Sequence, residues 1–421
     1  MTSFWCQQAW ISGQAVPSVV IKAGTDGKIV AVEVGVDPGD HRRLEGLVFP
    51  GLANAHSHAF HRALRGRTST QTDFWAWREE MYRVADSLDP DSYLELATRV
   101  YREMVLAGFT AVGEFHYLHH GPGGTAYSNP NAMSEALRHA AARAGIRLTL
   151  LDTCYLQGGI GIELSPTQQR FADGSVEAWT ERRRLLTEDA NTRIGAAIHS
   201  VRAVKPDDIA RVADEAEGLP LHVHLSEQRG ENAAAQAAFG LSPTQLLERA
   251  GALSPLTTAI HAIHLSPQDR EALRGSGAAV CACPTTEADL GDGIGPFSSL
   301  ARSGVPLAVG TDQHVRIDPF EEVRRLEMDQ RLAQGDRGHF TAVDLVAILS
   351  ENGYRAIGWG EGGKIALGSL CDLVAVRTDT IRTAGADPSS LIWLAGPGDV
   401  SEVVVGGRTI VREGTHLLNA G

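Results

Sequence analysis

Two histidines one residue apart stand near the amino terminus of this 421-residue chain. His56 and His58 follow a short apolar run at residues 47–49, which Pro50 and Gly51 end. On an extended backbone, residues i and i+2 point to one face about 7 Å apart, so two imidazoles placed this way can converge on one metal ion. A single pair of this kind is weak evidence. The metal hypothesis therefore depends on whether further histidines and carboxylates reach the same place.

Composition narrows the class of protein. A length of 421 residues with 43% hydrophobic content suits one large α/β domain with a smaller companion. The formal net charge of -13 argues against a nucleic-acid partner. No run of lysine and arginine suggests attraction to an anionic membrane surface.

Cysteine usage and hydropathy bear on the compartment. The five cysteines are scattered, odd in number and without CxxC spacing, which favours a reducing cytoplasm. Cys281 and Cys283 fit the period-two alternation of a buried strand, which predicts a structural role. The amino terminus has no basic leader before an apolar run, and no apolar stretch is long enough to span a bilayer. We expect a soluble cytoplasmic protein with no membrane partner.

The two ends of the chain resemble each other in pattern. Short β-branched runs bounded by turns predict strands, and they occur at residues 9–11, 18–22, 28–34, 364–368, 372–376 and 403–411. Neither end is large enough to form a stable sheet alone. We therefore predict that residues 1–49 and 364–421 pair into one small β-sandwich domain, and that residues 50–363 form a single insertion between them.

The insertion alternates apolar runs with helical patterns. After the stretch that carries His56, apolar runs lie at residues 110–115, 147–154, 194–199, 220–225, 258–263, 278–283 and 305–309. Between them lie helical patterns at residues 90–107, 131–144, 206–217, 242–250 and 267–274, among others. Eight alternations of strand and helix are typical of a (β/α)8 TIM-like barrel, whose strands are buried on both sides.

A barrel of this kind places its catalytic residues at the carboxyl ends of its strands. Polar residues follow that rule on six of the eight predicted strands: His56 and His58; Glu114, His116 and Tyr117; His199 and Arg202; His222, His224 and Glu227; His261 and His264; and Asp312. A lone strand histidine is usually structural. Histidines at the ends of five strands indicate a shared site.

These residues resemble the mononuclear-zinc deaminase branch of the amidohydrolase superfamily. Within that branch, motifs spread over the chain look like those of the N-formimidoyl-L-glutamate deiminase family; they lie at residues 56–60, 74–82, 114–120, 199–202 and 283–287. The resemblance runs from about residue 4 to the carboxyl end. The zinc motifs identify the superfamily, whereas the tryptophan-rich motif and His116-Tyr117 carry the finer resemblance.

The resemblance implies one zinc ion per subunit, held by four residues: His56, His58, His224 and Asp312. Neutral imidazoles and a carboxylate are ligands that suit Zn2+. His222 shares a face with His224, but Glu227 lies three residues past His224 as in the family pattern, which favours His224.

A two-metal site is the alternative. The common two-metal form of the superfamily uses a lysine at the end of strand four, and residues 194–199 contain none. In place of that lysine, Glu114 is the one residue that we consider as a bridge between two metal ions. We expect a single zinc.

The implied reaction is hydrolysis of the formimino group of N-formimidoyl-L-glutamate to N-formyl-L-glutamate and ammonia, in histidine degradation. In this reaction Asp312 would take a proton from the attacking water, and Glu227 would pass one to the leaving nitrogen. His261 would steady the nucleophile and the tetrahedral centre.

The implied substrate is a small molecule with two carboxylates, which guanidinium groups bind in a bidentate manner. The family suggests Arg78, Arg202 and the hydroxyl of Tyr117 as binding groups, with His199 near the formimino end. His61 is a departure, since some family members carry Gln at this position, which can touch the substrate. It is included because an imidazole can still donate a hydrogen bond.

Three questions stay open at this point. Arg78 could serve its own site or that of a neighbouring subunit, and the second case would make a homodimer functional. The glycine-rich loops at residues 121–124 and 158–174 are either lids or surface excursions. Trp75 and Trp77 are either core residues or a pocket wall.

Two other functions compete with the deiminase. A related mononuclear-zinc enzyme could deaminate guanine, an adenosine derivative or a triazine, but such sites need stacking aromatics and amides more than two arginines. A barrel that has lost its metal could serve as a scaffold, but the intact set of metal and acid-base residues counts against it.

Overall fold

The described residues form two separate eight-stranded sheets in this computed structural model. The structure describes residues 2–67 and 74–418, without the side chains of residues 74–76. The strands are β1 (Thr2–Ile11), β2 (Gln14–Ala23), β3 (Ile29–Val34), β4 (Arg42–Pro50), β5 (Leu52–Ser57), β6 (Phe109–His116), β7 (Arg147–Cys154), β8 (Thr192–Ile198), β9 (Leu221–Leu225), β10 (Thr257–His261), β11 (Ala279–Ala282), β12 (Leu307–Val309), β13 (Leu373–Val376), β14 (Val400–Val405), β15 (Arg408–Arg412) and β16 (Thr415–His416).

The α-helices of the described residues lie mainly between the strands of the second sheet. They are α1 (Phe74–Ser87), α2 (Pro90–Ala107), α3 (Ala132–Ala144), α4 (Val176–Arg183), α5 (Pro206–Glu215), α6 (Arg229–Phe239), α7 (Pro243–Arg249), α8 (Pro267–Ser276), α9 (Pro284–Leu290), α10 (Phe297–Arg302), α11 (Pro319–Gln334), α12 (Ala342–Ala347), α13 (Gly353–Ala356) and α14 (Leu391–Leu394). The helix α2 was predicted to the residue because its ends are strongly signalled. Asp89 caps its first turn, Pro90 starts it, and Gly108 ends it in the left-handed conformation.

The barrel consists of β5 to β12 in sequential parallel order, which confirms the predicted fold class. The sheet closes through a parallel bridge between Ser57 and Asp312. The amide of His58 donates to the carbonyl of Asp312 (3.1 Å), and the amide of Asp312 donates to the carbonyl of His56 (3.0 Å). Gly310 permits this contact, because a Cβ there would lie 2.7 Å from the Cβ of His56. The barrel therefore closes at the predicted metal ligands.

The small sheet combines both ends of the chain, as predicted, in the order β16-β15-β14-β13-β4-β1-β2-β3. Hydrogen bonds join all eight strands into one mixed sheet, so the predicted sandwich is a single continuous sheet. Buried residues from both chain ends share one core, among them Phe4, Ile21, Val48, Leu373 and Val404. The domain boundaries at residues 49/50 and 363/364 stay predictions.

Two expectations about individual strands were wrong. The apolar run at residues 47–49 belongs to β4 of the small sheet, where Val48 pairs with Ala9 and Ala375, and the first barrel strand begins only at Leu52. Residues 364–368 form no strand. Gly368 has a φ of +82° and donates its amide to the carbonyl of Ile29, so this segment turns where a strand was expected.

The membrane and cysteine predictions can be compared with the structure. Among the described residues, none of the helices has both the length and the apolar character that crossing a membrane requires. All five cysteines are free and buried. Cys281 lies on β11, in keeping with a structural role.

Candidate active site

Three imidazoles from two strands meet at the carboxyl end of the barrel. His56 lies on β5, His58 follows it directly, and His224 lies on β9. The Nε2 atom of His224 is 3.2 Å from that of His56 and 3.3 Å from that of His58. All three side chains are buried. This arrangement follows from the barrel, because the carboxyl ends of all its parallel strands lie at the same end of the barrel.

The tautomers of two of these histidines are fixed by carbonyl oxygens. Nδ1 of His58 donates to the carbonyl of Phe115 (2.8 Å), and Nδ1 of His224 donates to the carbonyl of His199 (2.9 Å). A neutral imidazole carries one proton, so the Nε2 atoms of these two rings carry lone pairs. The short contact between them is therefore no hydrogen bond. Two lone pairs directed at one point are the arrangement that a cation requires.

Asp312 adds a carboxylate to the three imidazoles. Its Oδ1 lies 3.5 Å from Nε2 of His56 and 3.4 Å from Nε2 of His58. Burial raises the pKa of Asp312, but the hydrogen bond with His56 and the electrostatic interactions with His56, His58 and His261 outweigh burial and hold the pKa well below its usual range. Burial lowers the pKa of His56 to about 3. The cluster is thus a carboxylate among neutral imidazoles, which suits a borderline-hard divalent metal.

His261 lies beside this cluster and faces three carboxylates. Its Nε2 is 3.8 Å from Oε1 of Glu227 and 3.9 Å from Oδ2 of Asp312, and its Nδ1 is 3.4 Å from Oε1 of Glu287. Burial lowers the pKa of His261, but the three carboxylates outweigh burial and raise it to about 10. His261 also has a φ of +68°, and Asp312 one of +43°. Non-glycine residues in this region are uncommon and are concentrated at functional sites.

One cavity of about 750 Å3 opens onto the cluster. It is lined by every predicted substrate-binding residue, namely His61, Arg78, Tyr117, His199 and Arg202. Arg78 lies on α1 and lines the cavity of its own chain, so the observed placement removes the reason for assigning it to a neighbouring subunit.

The two arginines have different surroundings. Arg202 lies between two glutamates, with Nη2 at 3.4 Å from Glu227 and Nε at 3.8 Å from Glu231. Arg78 donates from Nε to the hydroxyl of Tyr82 at 2.7 Å. Tyr82 lies one helical turn further along α1. Both arginines are therefore held by side chains of the cavity wall.

His61 and Tyr117 form a pair between the metal cluster and the cavity. Nε2 of His61 lies 2.9 Å from the hydroxyl of Tyr117, and its ring centroid lies 4.5 Å from that of His58. Trp77 contacts the other side of His61 edge-on, with centroids 5.4 Å apart. Trp77 is thus part of the cavity wall, whereas the side chain of Trp75 lies outside the described residues.

Other candidates lie elsewhere. His222 donates from Nε2 to the carbonyl of Ala356 (2.9 Å) and takes no part in the cluster. Glu114 accepts from the hydroxyl of Ser57 and the amide of Ala59, both at 2.6 Å, so each of its carboxylate oxygens has a donor. Burial raises the pKa of Glu114 to about 7.

The two glycine-rich loops differ. The loop at residues 158–174 supplies much of the cavity wall, including Ile160, Leu164 and Gln168. The loop at residues 121–124 packs against the outside of that wall, where Gly124 lies close to Gln169. Only the second of the two predicted loops therefore borders the site.

Sequence reasoning missed several residues of the site. They are Glu287, Glu231, Tyr82, Tyr155 and Gln168. Some signals were available: Tyr155 directly follows β7, Tyr82 is four residues from Arg78, and Glu231 is four residues from Glu227. Gln168 lies in an irregular loop and carried no periodic signal.

Comparison with known proteins gives three findings. The model of the Amidohydrolase family matches residues 47–410. The "Formimidoylglutamate deiminase" of Pseudomonas aeruginosa is 36% identical over 436 residues, covering 99% of this chain and 96% of that protein. A 5'-deoxyadenosine deaminase of Methanothermobacter thermautotrophicus is 26% identical over 408 residues, covering 92% of this chain and 88% of that protein.

Solved structures agree with the sequence comparisons. An amidohydrolase from Brucella melitensis superposes with a TM-score of 0.92 at 30% identity, covering 99% of this chain and 96% of that one. The chain therefore belongs to the amidohydrolase family.

Proposed function

We propose that this chain hydrolyses the formimino group of N-formimidoyl-L-glutamate, giving N-formyl-L-glutamate and ammonia. The observation that carries the proposal is the cavity itself, which joins a cluster of metal-ligating residues to two arginines, Arg78 and Arg202. Two guanidinium groups suit a small substrate with two carboxylates. The name of the P. aeruginosa relative states the same reaction class for that protein.

The amidohydrolase family is metal-dependent, and this chain has a fitting site. We propose Zn2+, one per subunit, held by four residues: His56, His58, His224 and Asp312. The ligand atoms of the three histidines lie within 4.8 Å of one another, and two of their rings direct lone pairs at one point. When bound, the metal supplies Lewis acidity that makes water nucleophilic near neutral pH.

Three residues would move or hold protons. Asp312 would accept a proton from the attacking water, because its depressed pKa keeps it ionised and its Oδ2 lies towards His261, 3.9 Å from Nε2 of that ring. Glu227 would deliver a proton to the leaving nitrogen, which must depart as ammonia. His261 lies within 4 Å of both carboxylates and would stabilise the tetrahedral centre.

Substrate orientation would come from the cavity wall. Arg202 and Arg78 would bind the two carboxylates, and Tyr117 would add a hydroxyl. His199 lies beside His224, with ring centroids 5.2 Å apart, and would contact the formimino end. His61 would act through its contact with Tyr117.

The direct test is ammonia release. The purified protein would be given N-formimidoyl-L-glutamate, guanine, adenosine and cytosine, each with and without a chelator. We expect release from the formimino substrate alone and its loss with chelator. Turnover of a nucleobase with an inert formimino substrate would disprove the proposal.

A nucleobase deaminase is the second candidate, because aromatic rings line the cavity. Trp77, Tyr117, Tyr155 and Phe171 are four of them, and rings of this kind stack on bases. Arg202→Met separates the two functions. It would raise the KM for the formimino substrate, because a guanidinium that binds a carboxylate is removed, but it would have little effect on an uncharged base.

Three finer assignments belong to the same proposal. The reaction would place the protein in histidine degradation, in a reducing cytoplasm. The homodimer stays a prediction, and analytical ultracentrifugation would measure the oligomeric state. Arg78 no longer supports a homodimer, because this residue already lines the cavity of its own chain.

A further inference from the structure

Five buried side chains form a network of hydrogen bonds that links strand β5, strand β6 and the loop after β12. In their order along this buried network, they are Asn54, Thr311, His314, Ser57 and Glu114. Each of the five has a relative exposure of 0%, and none of them lines the cavity. The buried network is therefore closed to solvent and to the substrate.

Every link of the buried network is a direct contact between two side chains. Oγ1 of Thr311 lies 2.7 Å from Nδ2 of Asn54 and 2.9 Å from Nδ1 of His314. Oγ of Ser57 lies 3.2 Å from Nε2 of His314 and 2.6 Å from Oε2 of Glu114. These distances are those of ordinary hydrogen bonds.

The amide of Asn54 fixes the direction of the network at one end. The backbone N–H of Thr311 donates to Oδ1 of Asn54 at 3.0 Å, so this atom must be the oxygen. Nδ2 of Asn54 therefore faces the hydroxyl of Thr311 and can only donate to it. The Thr311 hydroxyl accepts this hydrogen bond and has its own proton left for Nδ1 of His314.

The carboxylate of Glu114 receives the protons at the other end. A neutral imidazole carries one proton, and because Nδ1 of His314 accepts from Thr311, this proton lies on Nε2 and is donated to Ser57. Ser57 then donates its own proton to Glu114, whose other oxygen accepts from the amide of Ala59. An amide in place of this carboxylate would offer one acceptor oxygen and add N–H donors. One hydroxyl proton of the network would then lose its acceptor.

The end of β6 holds His58 in three places. The two oxygens of Glu114 accept from Ser57 and Ala59, which are the neighbours of His58 in the sequence. The carbonyl of Phe115, the next residue of β6, accepts from Nδ1 of His58 at 2.8 Å. The backbone on both sides of His58 and the ring itself are thus fixed from one strand, and Glu114 supplies two of the three contacts.

The other half of the network holds Asp312. Thr311 directly precedes Asp312, and His314 lies two residues after it. Asp312 and His314 have φ values of +43° and +59°. Non-glycine residues keep such a conformation only where the surrounding contacts hold it. The network supplies these contacts, because Asn54 and Ser57 tie both ends of the turn to β5.

We propose that Glu114 is a positioning residue of the metal site, whose carboxylate holds His58 through its two neighbours and Asp312 through the buried network. Partners of this kind set the orientation of metal ligands, and their loss weakens metal binding by about 10- to 100-fold. The proposal rests on the proposed function, because it assumes a metal ion between His58 and Asp312.

The test compares Glu114→Gln with the matched control Glu322→Gln. Glu322 is equally buried and also accepts from one backbone amide and one hydroxyl, both of Thr285, outside the cavity lining. We expect Glu114→Gln to raise the Kd for Zn2+ by about 10- to 100-fold, measured on the metal-free protein by competition with a chromophoric chelator. Glu322→Gln should leave this Kd unchanged. Equal Kd values in both variants would overturn the proposal.

Substitution with Co2+ separates positioning from a general loss of stability. The visible absorption of Co2+ depends on the number and arrangement of its ligands, and recording it needs no substrate. At saturating Co2+, we expect Glu114→Gln to change the wavelength and intensity of these bands, and Glu322→Gln to leave them as in the unaltered protein. An unchanged spectrum with a lower Tm would mean that Glu114 only stabilises the fold, against the proposal.

Neutron diffraction tests the direction of the network without any variant. At pH 8.5, above the pKa of about 7 to which burial raises Glu114, we expect deuterium on Nε2 of His314 and on Oγ of Ser57, directed at Glu114. Deuterium on Nδ1 of His314 or on the carboxylate would contradict the proposal.

These measurements need no turnover, so the two proposals can fail separately. If the variants behave as expected but the unaltered protein releases no ammonia from the formimino substrate, the proposed reaction alone is wrong. If ammonia is released but Glu114→Gln binds Zn2+ as tightly as the unaltered protein, the role of Glu114 alone is wrong.

Discussion

Oε1 of Glu287 lies 3.4 Å from Nδ1 of His261, on the side of the imidazole opposite to the metal cluster. The same oxygen accepts the amide of Cys283 at 2.8 Å, which fixes the carboxylate at the start of α9. Both residues are buried. A fixed carboxylate behind a histidine holds the ring and favours its protonated form, as in other carboxylate–histidine pairs.

Glu287→Gln should therefore slow the chemical step. An amide keeps the shape but loses the charge that supports protonated His261. We expect kcat to fall by about 10- to 100-fold, the range for residues that orient a catalytic group, with little change in KM or in bound metal. Steady-state kinetics measure kcat and KM, and metal analysis measures the bound metal. The exposed Glu271 provides the control Glu271→Gln, and a kcat equal to that of the control would show that Glu287 has no such role.

Removal of the metal should abolish activity and lower stability. Without a cation, the lone pairs of His58 and His224 face each other at 3.3 Å with no proton between them. A metal that binds only the folded state stabilises it by about 2.7 kcal/mol at a concentration of 100 Kd. We expect dialysis against a chelator to remove activity and lower the Tm, and Zn2+ to restore both.

Magnesium is the control for that experiment. Mg2+ prefers oxygen ligands in octahedral geometry, so an imidazole-rich site should bind it poorly. If Mg2+ restored activity and Tm as effectively as Zn2+, the proposed set of imidazole-rich metal ligands would be contradicted.

The pair formed by His61 and Tyr117 predicts a rescue. His61→Ala removes the closer partner of the Tyr117 hydroxyl and leaves only the weak acceptor Sδ of Met81, at 4.0 Å. Loss of a hydrogen-bond partner by a buried polar group costs about 1–3 kcal/mol. We expect kcat/KM to fall by roughly 10-fold or more, and His61→Gln to recover most of it, because an amide can still bond to the hydroxyl. The kcat/KM values of both variants, from steady-state kinetics, test this expectation. If His61→Gln were as impaired as His61→Ala, the imidazole itself would be required.

The barrel could be predicted because its signals are local. Apolar runs and helical patterns alternate along the chain, and strand ends bring His56, His224 and Asp312 together whatever the details of packing. The strand at residues 47–49 was assigned to the wrong sheet for an equally local reason: β4 and β5 are separated by Gly51 alone, and periodicity does not show where a chain changes sheets.

The partners of the site residues could not be predicted. Glu287 ends the motif at residues 283–287, and Glu231 lies four residues past Glu227. Which carboxylate faces His261 and which faces Arg202 nevertheless depends on how the loops fold. The hydrogen bond between His61 and Tyr117 joins residues 56 positions apart. Contacts at that separation follow from tertiary packing, which no single stretch of sequence encodes.

A buried ion pair joins the barrel to the small sheet. Arg147, the first residue of β7, bonds through Nε and Nη2 to both oxygens of Asp372 at 2.7 and 3.0 Å. Asp372 directly precedes β13 and also accepts from the hydroxyl of Tyr354 and the amide of Gly406, both at 2.7 Å. One carboxylate thus holds groups from both sheets.

Asp372→Asn should destabilise the protein without touching the cavity. It leaves the buried guanidinium of Arg147 without its counter-ion, although Nη1 still donates to Ala190 and Asn191. Breaking a buried ion pair in this way costs about 3–5 kcal/mol. We expect a lower urea midpoint for unfolding. Asp379→Asn breaks an exposed pair with Arg377 and is the matched control, which should change the midpoint little. Equal midpoints for the two variants would mean that the pair does not hold the two sheets together.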